Sequence, residues 1–341
     1  MRIAVVIRTH NEAPRLRLTL ASLRSQAGLD EVVVVNDGST DETADVVAEA
    51  GRHLPMAVVR HAAARGRSAA ANAGAAAASG DVLIFLDGDM PVGPGFVAAH
   101  RAAHGAAGVV IARGETWHLR CTRMLRDPDA GVGFPEHVAR LARLGEGERA
   151  AQRVTMAEVV GDFAAVERRA QPAIYPGGGP RRLFESEMDA LLSAPECPTL
   201  WAAASGSNQS VPREAFLETG GFDALLDINE HRELALRLVQ RGARLKPAVG
   251  ARSYHLTHRS GWRDPLEHTD WETAFWKVHP TPAVALLPVL WASLTEHPAI
   301  SAERRIVSLP DLASRAAEAG VVAADSAAAC RALLGYPERL A

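Results

Sequence analysis

Asp87 and Asp89 flank Gly88 directly after the apolar run 81–86, so a tight turn sets two carboxylates toward one cleft. Their mutual repulsion favours a bound divalent cation, and a hard cation there can be shared with a diphosphate. Thr9 and Asp37 hold equivalent places, each within a residue or two of the end of another short apolar run, 3–7 and 31–35. The chemistry this set offers is metal-assisted handling of a phosphorylated ligand. Taken alone, Asp-x-Asp is also the ordinary pattern of a turn whose carboxylates cap a helix. The elements around it have to decide.

The runs 3–7, 31–35, 57–60 and 81–86 read as short strands buried on both faces. Leu16, Leu20 and Leu23 recur at helical spacing within 15–26, a second helix capped by Ser39, Thr40 or Asp41 runs to about residue 50, and the alanine-rich 67–78 forms a third. This βαβαβαβ order predicts right-handed crossovers and a parallel sheet with ligands at the carboxyl ends of its strands. Thr9, Asp37 and Asp87 then share one crevice. Neither GxGxxG nor GxxxxGK follows these strands, which counts against a dinucleotide oxidoreductase and a P-loop NTPase.

The chain has 341 residues, 37 Lys+Arg against 40 Asp+Glu and a formal charge of -3, so no basic surplus points to nucleic acid. Cys121, Cys197 and Cys330 lie far apart, which counts against structural zinc and a disulfide scaffold. The N-terminal apolar run is too short for a signal-peptide core, and 282–294 is shorter than the ~20 residues of a spanning helix and contains Pro288. A soluble, cytoplasmic protein with no nucleic-acid partner and no transmembrane segment is expected.

The segments VVIRTHNEAPRLRLTLASL, EVVVVNDGSTDETADVV, GRSAAANAGAAAASGDVLIFLDGDMPV and, much later, SGSNQSVPREAFLETGGFD followed by NEHRELALRLVQRG occur in an order and spacing that resembles the family 2 glycosyltransferases. The resemblance covers roughly 1–112 and 201–258. It implies an α/β GT-A fold, a Rossmann-like, mostly parallel sheet flanked by helices, with a nucleotide-sugar donor and glycosyl transfer. Four regions are expected: 1–112 as the nucleotide-sugar-binding half, 113–200 as a helical insertion serving as lid or acceptor region, 201–262 as the acceptor and catalytic half, and 263–341 as a helical extension.

Carried onto this sequence, the resemblance puts Thr9 and Glu12 in the nucleoside pocket. It makes Asp37 an acceptor for the base, to which a uracil imide N–H is a good donor. Arg65 and Arg67 fall near the nucleotide, and Asn72 braces a loop. Asp87 touches the ribose and shares the metal site, while Asp89 binds the metal. Gly206, Asn208 and Ser210 match a strand and turn bordering the sugar. His255 and His258 match the late histidines that many GT-A enzymes recruit as further ligands, and imidazole suits Mn2+ better than Mg2+ as the divalent cofactor.

Inverting family members carry a Glu-Asp pair whose Asp is the catalytic base; here the pair is Glu230-His231. Leu234, Leu238 and Val239 support a helix with Glu230 and Glu233 near one face. His231 is the expected base, since its ordinary pKa lies near neutrality, and Glu230 is its competitor. Glu233 and Trp201 are assigned to the acceptor side, and Trp117, His118, Trp201 and Trp262 offer stacking surfaces. The expected activity is metal-dependent, inverting transfer from a UDP-sugar to a soluble, small-molecule acceptor. Trp271, Trp276 and Trp291 are expected to pack the tail on the catalytic domain or on a second subunit of a homodimer. The competing readings are a sugar nucleotidyltransferase, whose glycine-rich basic signature is missing, and a non-catalytic sugar-nucleotide-binding protein, suggested by the missing Asp.

Overall fold

The computed structural model describes residues 1–105, 108–172, 183–258 and 263–340. Among the described residues ten strands appear in chain order: β1 (Ile3–Thr9), β2 (Glu31–Asp37), β3 (Met56–His61), β4 (Val82–Asp87), β5 (Val110–His118), β6 (Leu125–Asp127), β7 (Val132–Gly133), β8 (Gln171–Pro172), β9 (Asn208–Pro212) and β10 (Arg244–His255). The main sheet runs β10-β5-β9-β4-β1-β2-β3, with β8 on β5, and β6–β7 is a separate hairpin. The β4-β1-β2-β3 half is parallel, as its βα alternation requires, and β5 is parallel to β10. Only β9 runs against both its neighbours, β4 and β5, and so joins the two parallel blocks. The fold is GT-A, and β5 runs through the boundary expected at 112–113.

Period-two alternation sorts β1 between two layers. Ile3, Val5 and Ile7 pack with Leu16, Leu20 and Leu23 of the helix Ala13–Leu23, whereas Ala4 and Val6 face Ala71 and Ala75 of the helix Arg67–Ala77. A Cβ on Gly74 would come within 2.4 Å of Val6 Cγ1, so this glycine lets the second helix lie directly on the sheet.

The helix Pro282–Leu294 is apolar on all sides because it is enclosed on all sides. The helices Asp270–Val278, Leu309–Ala319 and Ala327–Leu333 surround it, and its cluster is continuous with the core on one face of the sheet. Trp271, Trp276 and Trp291 are buried there, in the core cluster that reaches the sheet. No helix of the described residues is long and apolar enough to cross a membrane.

Asn208 corrects one expectation. It is fully buried behind the sheet's end, donating to the carbonyls of Glu115 and Ala251 and to Ser253 Oγ, and so laces β9 to β5 and β10 instead of meeting a sugar. Its Oδ1 lies 2.9 Å from His100 Nε2, while His100 Nδ1 and His104 Nε2 both reach Ser210 Oγ, at 2.9 and 2.8 Å. Burial pushes His100 down to about 3 and His104 down to about 4. Both titrate near 6.5 in an unfolded chain, so below that pH the unfolded state binds more protons than the native one. The stability held by these neutral rings is complete above pH 6.5 and is lost as pH falls toward about 3. Urea denaturation should show a loss of roughly 2–5 kcal/mol between pH 7 and pH 4, and a flat profile would contradict it.

Candidate functional site

β1, β2 and β4 end on one edge of the sheet and deliver Thr9, Asp37 and Asp87 to a cleft of about 950 Å³. One wall is the loop after β1 with the start of the helix Arg67–Ala77; the other is the β6–β7 hairpin, through Arg126, Asp127, Val132 and Phe134. The hairpin is held by Arg15, which donates 2.9 Å to the Arg126 carbonyl, reaches the Leu256 carbonyl at 3.3 Å and lies under the Phe134 ring. This wall belongs to the stretch expected as the insertion.

The end expected to take the nucleoside is built around Asp37. Gly38 follows it at φ +71, and a Cβ there would fall 2.5 Å from the backbone of Ala63 and Ala64, so only glycine lets the two loops close together. The Asp37 carboxylate lies 2.6 Å from His61 Nδ1 and accepts from the backbone N–H groups of Arg65 and Gly66 at 2.9 and 3.0 Å. Burial opposes its charge, but His61 and these N–H groups hold it below the usual carboxylate range. Arg67 lines the cleft; Arg65 contributes its backbone, and its side chain is exposed off the cleft wall. Asn72 exchanges two 2.8 Å hydrogen bonds with the Phe222 backbone, the loop brace expected of it.

Asp89 lies at the end expected to hold the metal. Its Oδ2 is 3.0 Å from His255 Nε2 and 2.8 Å from His258 Nε2, and one ligand atom from each residue falls within 4.8 Å of the others. One carboxylate and two imidazoles fit a borderline divalent ion such as Mn2+ better than Mg2+. Burial opposes the Asp89 charge, yet the two histidines hold its carboxyl well below the ordinary range. Asp87, expected as a further ligand, accepts from Arg8 Nε through its Oδ1 at 2.6 Å and lies outside the three-residue cluster. Glu12 is wedged against Gly88, where a Cβ would lie 2.4 Å from Glu12 Oε1. Burial, with the Asp89 charge adding to it, pushes the Glu12 carboxyl well above its ordinary value.

The helix Glu230–Gln240 brings its first turn behind Arg8. Glu230 is buried, with Oε1 3.1 Å from Arg8 Nη1 and Oε2 3.5 Å from His231 Nδ1. Burial opposes its charge, but His231 and Arg8 hold it far below the carboxylate range. His231 Nε2 lies 2.9 Å from Arg232 Nη1. A guanidinium only donates, so Nε2 is the acceptor and the proton of the neutral ring sits on Nδ1, facing Glu230. Burial first, then the charges of Arg232 and Arg8, lower the His231 pKa against the pull of Glu230. Both expected bases are therefore tied to guanidinium groups, one to Arg8 and one to Arg232.

Two further assignments are corrected. Glu233 is buried in ion pairs with Arg237 at 2.6 Å and His279 at 3.1 Å, and Trp201 packs in the core against Phe275. Neither lines the cleft. Gly206 packs against the first turn of the helix Glu230–Gln240, where a Cβ on it would meet His231 Nδ1 at 3.1 Å and Glu230 Oε1 at 3.2 Å, and it too is outside the cleft lining. Trp117 is half-buried under Arg252, and His118 stacks edge-on against His255. Trp262 and the breaker 176–180 lie outside the described residues. Arg8, His61, Arg15, Arg232 and the hairpin are the parts that sequence reasoning missed. The one signal was Arg8 itself, a cation closing an otherwise apolar strand.

Residues 4–118 match the family described as Glycosyl transferase family 2. They form a glycosyl transferase family 2 domain. The validoxylamine A glucosyltransferase of Streptomyces hygroscopicus subsp. jinggangensis is 42% identical over 106 residues, 30% of this chain and 25% of that protein. The pre-mycofactocin glycosyltransferase of Mycobacterium tuberculosis is 29% identical over 266 residues, 77% of this chain and 44% of that protein. The chain thus spans less than half the length of these relatives. The crystal structure of GalNAc-T7 with UDP, GalNAc and Mn2+ superposes with a TM-score of 0.51 at 19% identity, over 82% of this chain and 50% of that one, a likeness of fold. The family 2 domain carries the cleft residues Thr9 to Asp89, while Glu230, His231, His255 and His258 lie beyond the matched residues.

Proposed function

We propose that this chain is a metal-dependent glycosyltransferase that moves a sugar from a nucleoside diphosphate donor, UDP foremost, to a small or soluble acceptor. The observation that carries the reading is the convergence of Asp89, His255 and His258 at one end of a cleft whose other end is closed around Asp37. A divalent cation held by those three residues supplies the charge that a diphosphate leaving group requires. Thr9, Arg67 and Asp37 line the nucleoside part. Three protein donors hold Asp37 in four contacts, and it still lines the cleft where an imide N–H would meet it. Inversion at the anomeric carbon is part of the same proposal, as is a cytoplasmic location, with which the three free thiols agree.

Thermal shift and calorimetry with UDP, CDP and GDP, each with and without Mn2+, test this. A ligand that binds only the native state at 100 times its Kd raises stability by about 2.7 kcal/mol. UDP should stabilise the protein only when Mn2+ is present. It should also bind more tightly than CDP by ~1–3 kcal/mol, because cytosine presents a lone pair where Asp37 needs a donor. Equal UDP and CDP affinities remove Asp37 as the reader of the base, and no response to any nucleotide removes the reading. Release of UDP from UDP-sugars, without pyrophosphate release from nucleoside triphosphates, separates it from a nucleotidyltransferase.

A further inference from the structure

A second cavity, of about 420 Å³, lies in the C-terminal extension and shares no lining residue with the cleft. Its size falls within the range of small-molecule sites, roughly 300–1,000 Å³. The helices Asp270–Val278 and Ala327–Leu333 line it, together with Pro288 of the enclosed helix and Leu340.

Glu272 is its chemically distinctive group. The residue is only 8% exposed, its Oε2 accepts from Arg331 Nη1, and its Oε1 has no partner among the described residues. Nor is Oε1 sealed in the protein, so it meets the cavity that Glu272 lines. Arg331 is 3% exposed, and its donors are spent or enclosed: Nη1 also reaches the Ala285 carbonyl at 3.1 Å, Nη2 donates to the Glu338 carbonyl at 2.6 Å, and Nε is sealed in.

These facts sort the guests. An anion finds no guanidinium N–H to hold it and meets the Glu272 oxygen. A cation finds Glu272 already neutralised by Arg331. At the rim the exposed Lys277 and Arg339 are matched by Asp325 and Glu338, so the lining carries no net charge. An apolar guest strips water from Oε1 and returns nothing. A neutral hydroxyl fits. Burial pushes the Glu272 carboxyl above its ordinary value against the pull of Arg331, and a hydroxyl serves either form, donating to the carboxylate or accepting from the acid. Thr269 and Thr273 add hydroxyls at the rim, while Trp276, Pro288 and Leu340 supply apolar surface for the C–H face of a ring.

We propose that this cavity is a second ligand site, separate from the cleft, that takes a neutral sugar or polyol with its hydroxyls on Glu272. The proposal does not depend on the donor or the reaction assigned to the cleft.

The test offers glucose, N-acetylglucosamine, maltose and myo-inositol to the whole chain, with phosphate, acetate and putrescine as charged probes, and reads binding by saturation-transfer NMR. At least one neutral probe should saturate with a Kd below about 10 mM, and the charged probes should bind about tenfold or more weakly than it. Thr273→Trp, which plugs the cavity from an exposed helix position, should weaken that binding by about tenfold or more, and Glu272→Gln by about tenfold, because the charged acceptor is lost. Asp89→Asn, in the cleft, should leave it within about twofold. Should Glu272→Gln unfold the extension, Thr273→Trp still decides. Saturable binding of none of the four neutral probes, tighter binding of a charged one, or binding that survives Thr273→Trp and is lost in Asp89→Asn overturns the proposal.

Discussion

Asp89→Asn should weaken Mn2+-dependent UDP binding by roughly 100-fold or more while leaving the melting temperature nearly unchanged. Asp89 supplies the anionic ligand of the three-residue cluster and is the point on which both histidines converge. Asparagine keeps the volume and an oxygen for one imidazole, so packing survives, but the charge that offsets a divalent ion is gone. Asp87 is ion-paired to Arg8 and lies outside the cluster, so it does not replace the lost charge. Calorimetry that finds the same UDP affinity and the same Mn2+ dependence in the variant would sink the assignment.

Arg232→Met should cost about 3–5 kcal/mol, the range for breaking one partner out of a buried ion pair. Its guanidinium serves the Ala202 carbonyl, Asn229, Glu187 and the His231 ring at once, and lies 5.2 Å from the centre of the Trp291 ring in the C-terminal extension. Glu187 keeps Arg113 at 2.6 Å, which places the loss at the lower end. With the positive neighbour removed and Nε2 released, the His231 pKa should rise, which proton NMR of the ring would follow. Urea denaturation showing a loss below about 1 kcal/mol would mean that the network is incidental to stability.

Much of the first half was legible because the information there is local. Strands β1 to β4 announce themselves as short apolar runs, and the turn at Gly88 places Asp87 and Asp89 whatever the rest of the chain does. The helix carrying Glu230 was legible for the same reason, from Leu234 and Leu238. What the helix does was not, because Arg8 is 222 positions from Glu230 and nothing near either residue in sequence announces the pair. His231 fails as a free base for a nearer reason. Its neighbour Arg232 drew no reading from the sequence, and only the fold reveals that it is part-buried and bent back onto the imidazole. Asn208 was placed on the right strand but the wrong side of its function, since a buried asparagine and a substrate-facing one look alike in sequence. The β6–β7 hairpin is two short strands with no clean alternation, and it becomes a cleft wall only through Arg15.

The reversed direction of β9 has a consequence for how the polypeptide comes together. β4 and β5 are complete by residue 118, yet the strand that fills the space between them begins at residue 208. During synthesis both inner borders therefore stay unpaired while about 90 more residues emerge, at 5–20 residues per second roughly 5–20 seconds of exposure. Two apolar borders open for that long invite pairing with a neighbouring nascent chain. Chaperone demand should concentrate in that interval, and aggregation-prone truncations should be those that stop short of β9. The same wait makes closure of the sheet a long-range event, with a folding rate set by the search for β9 more than by any helix.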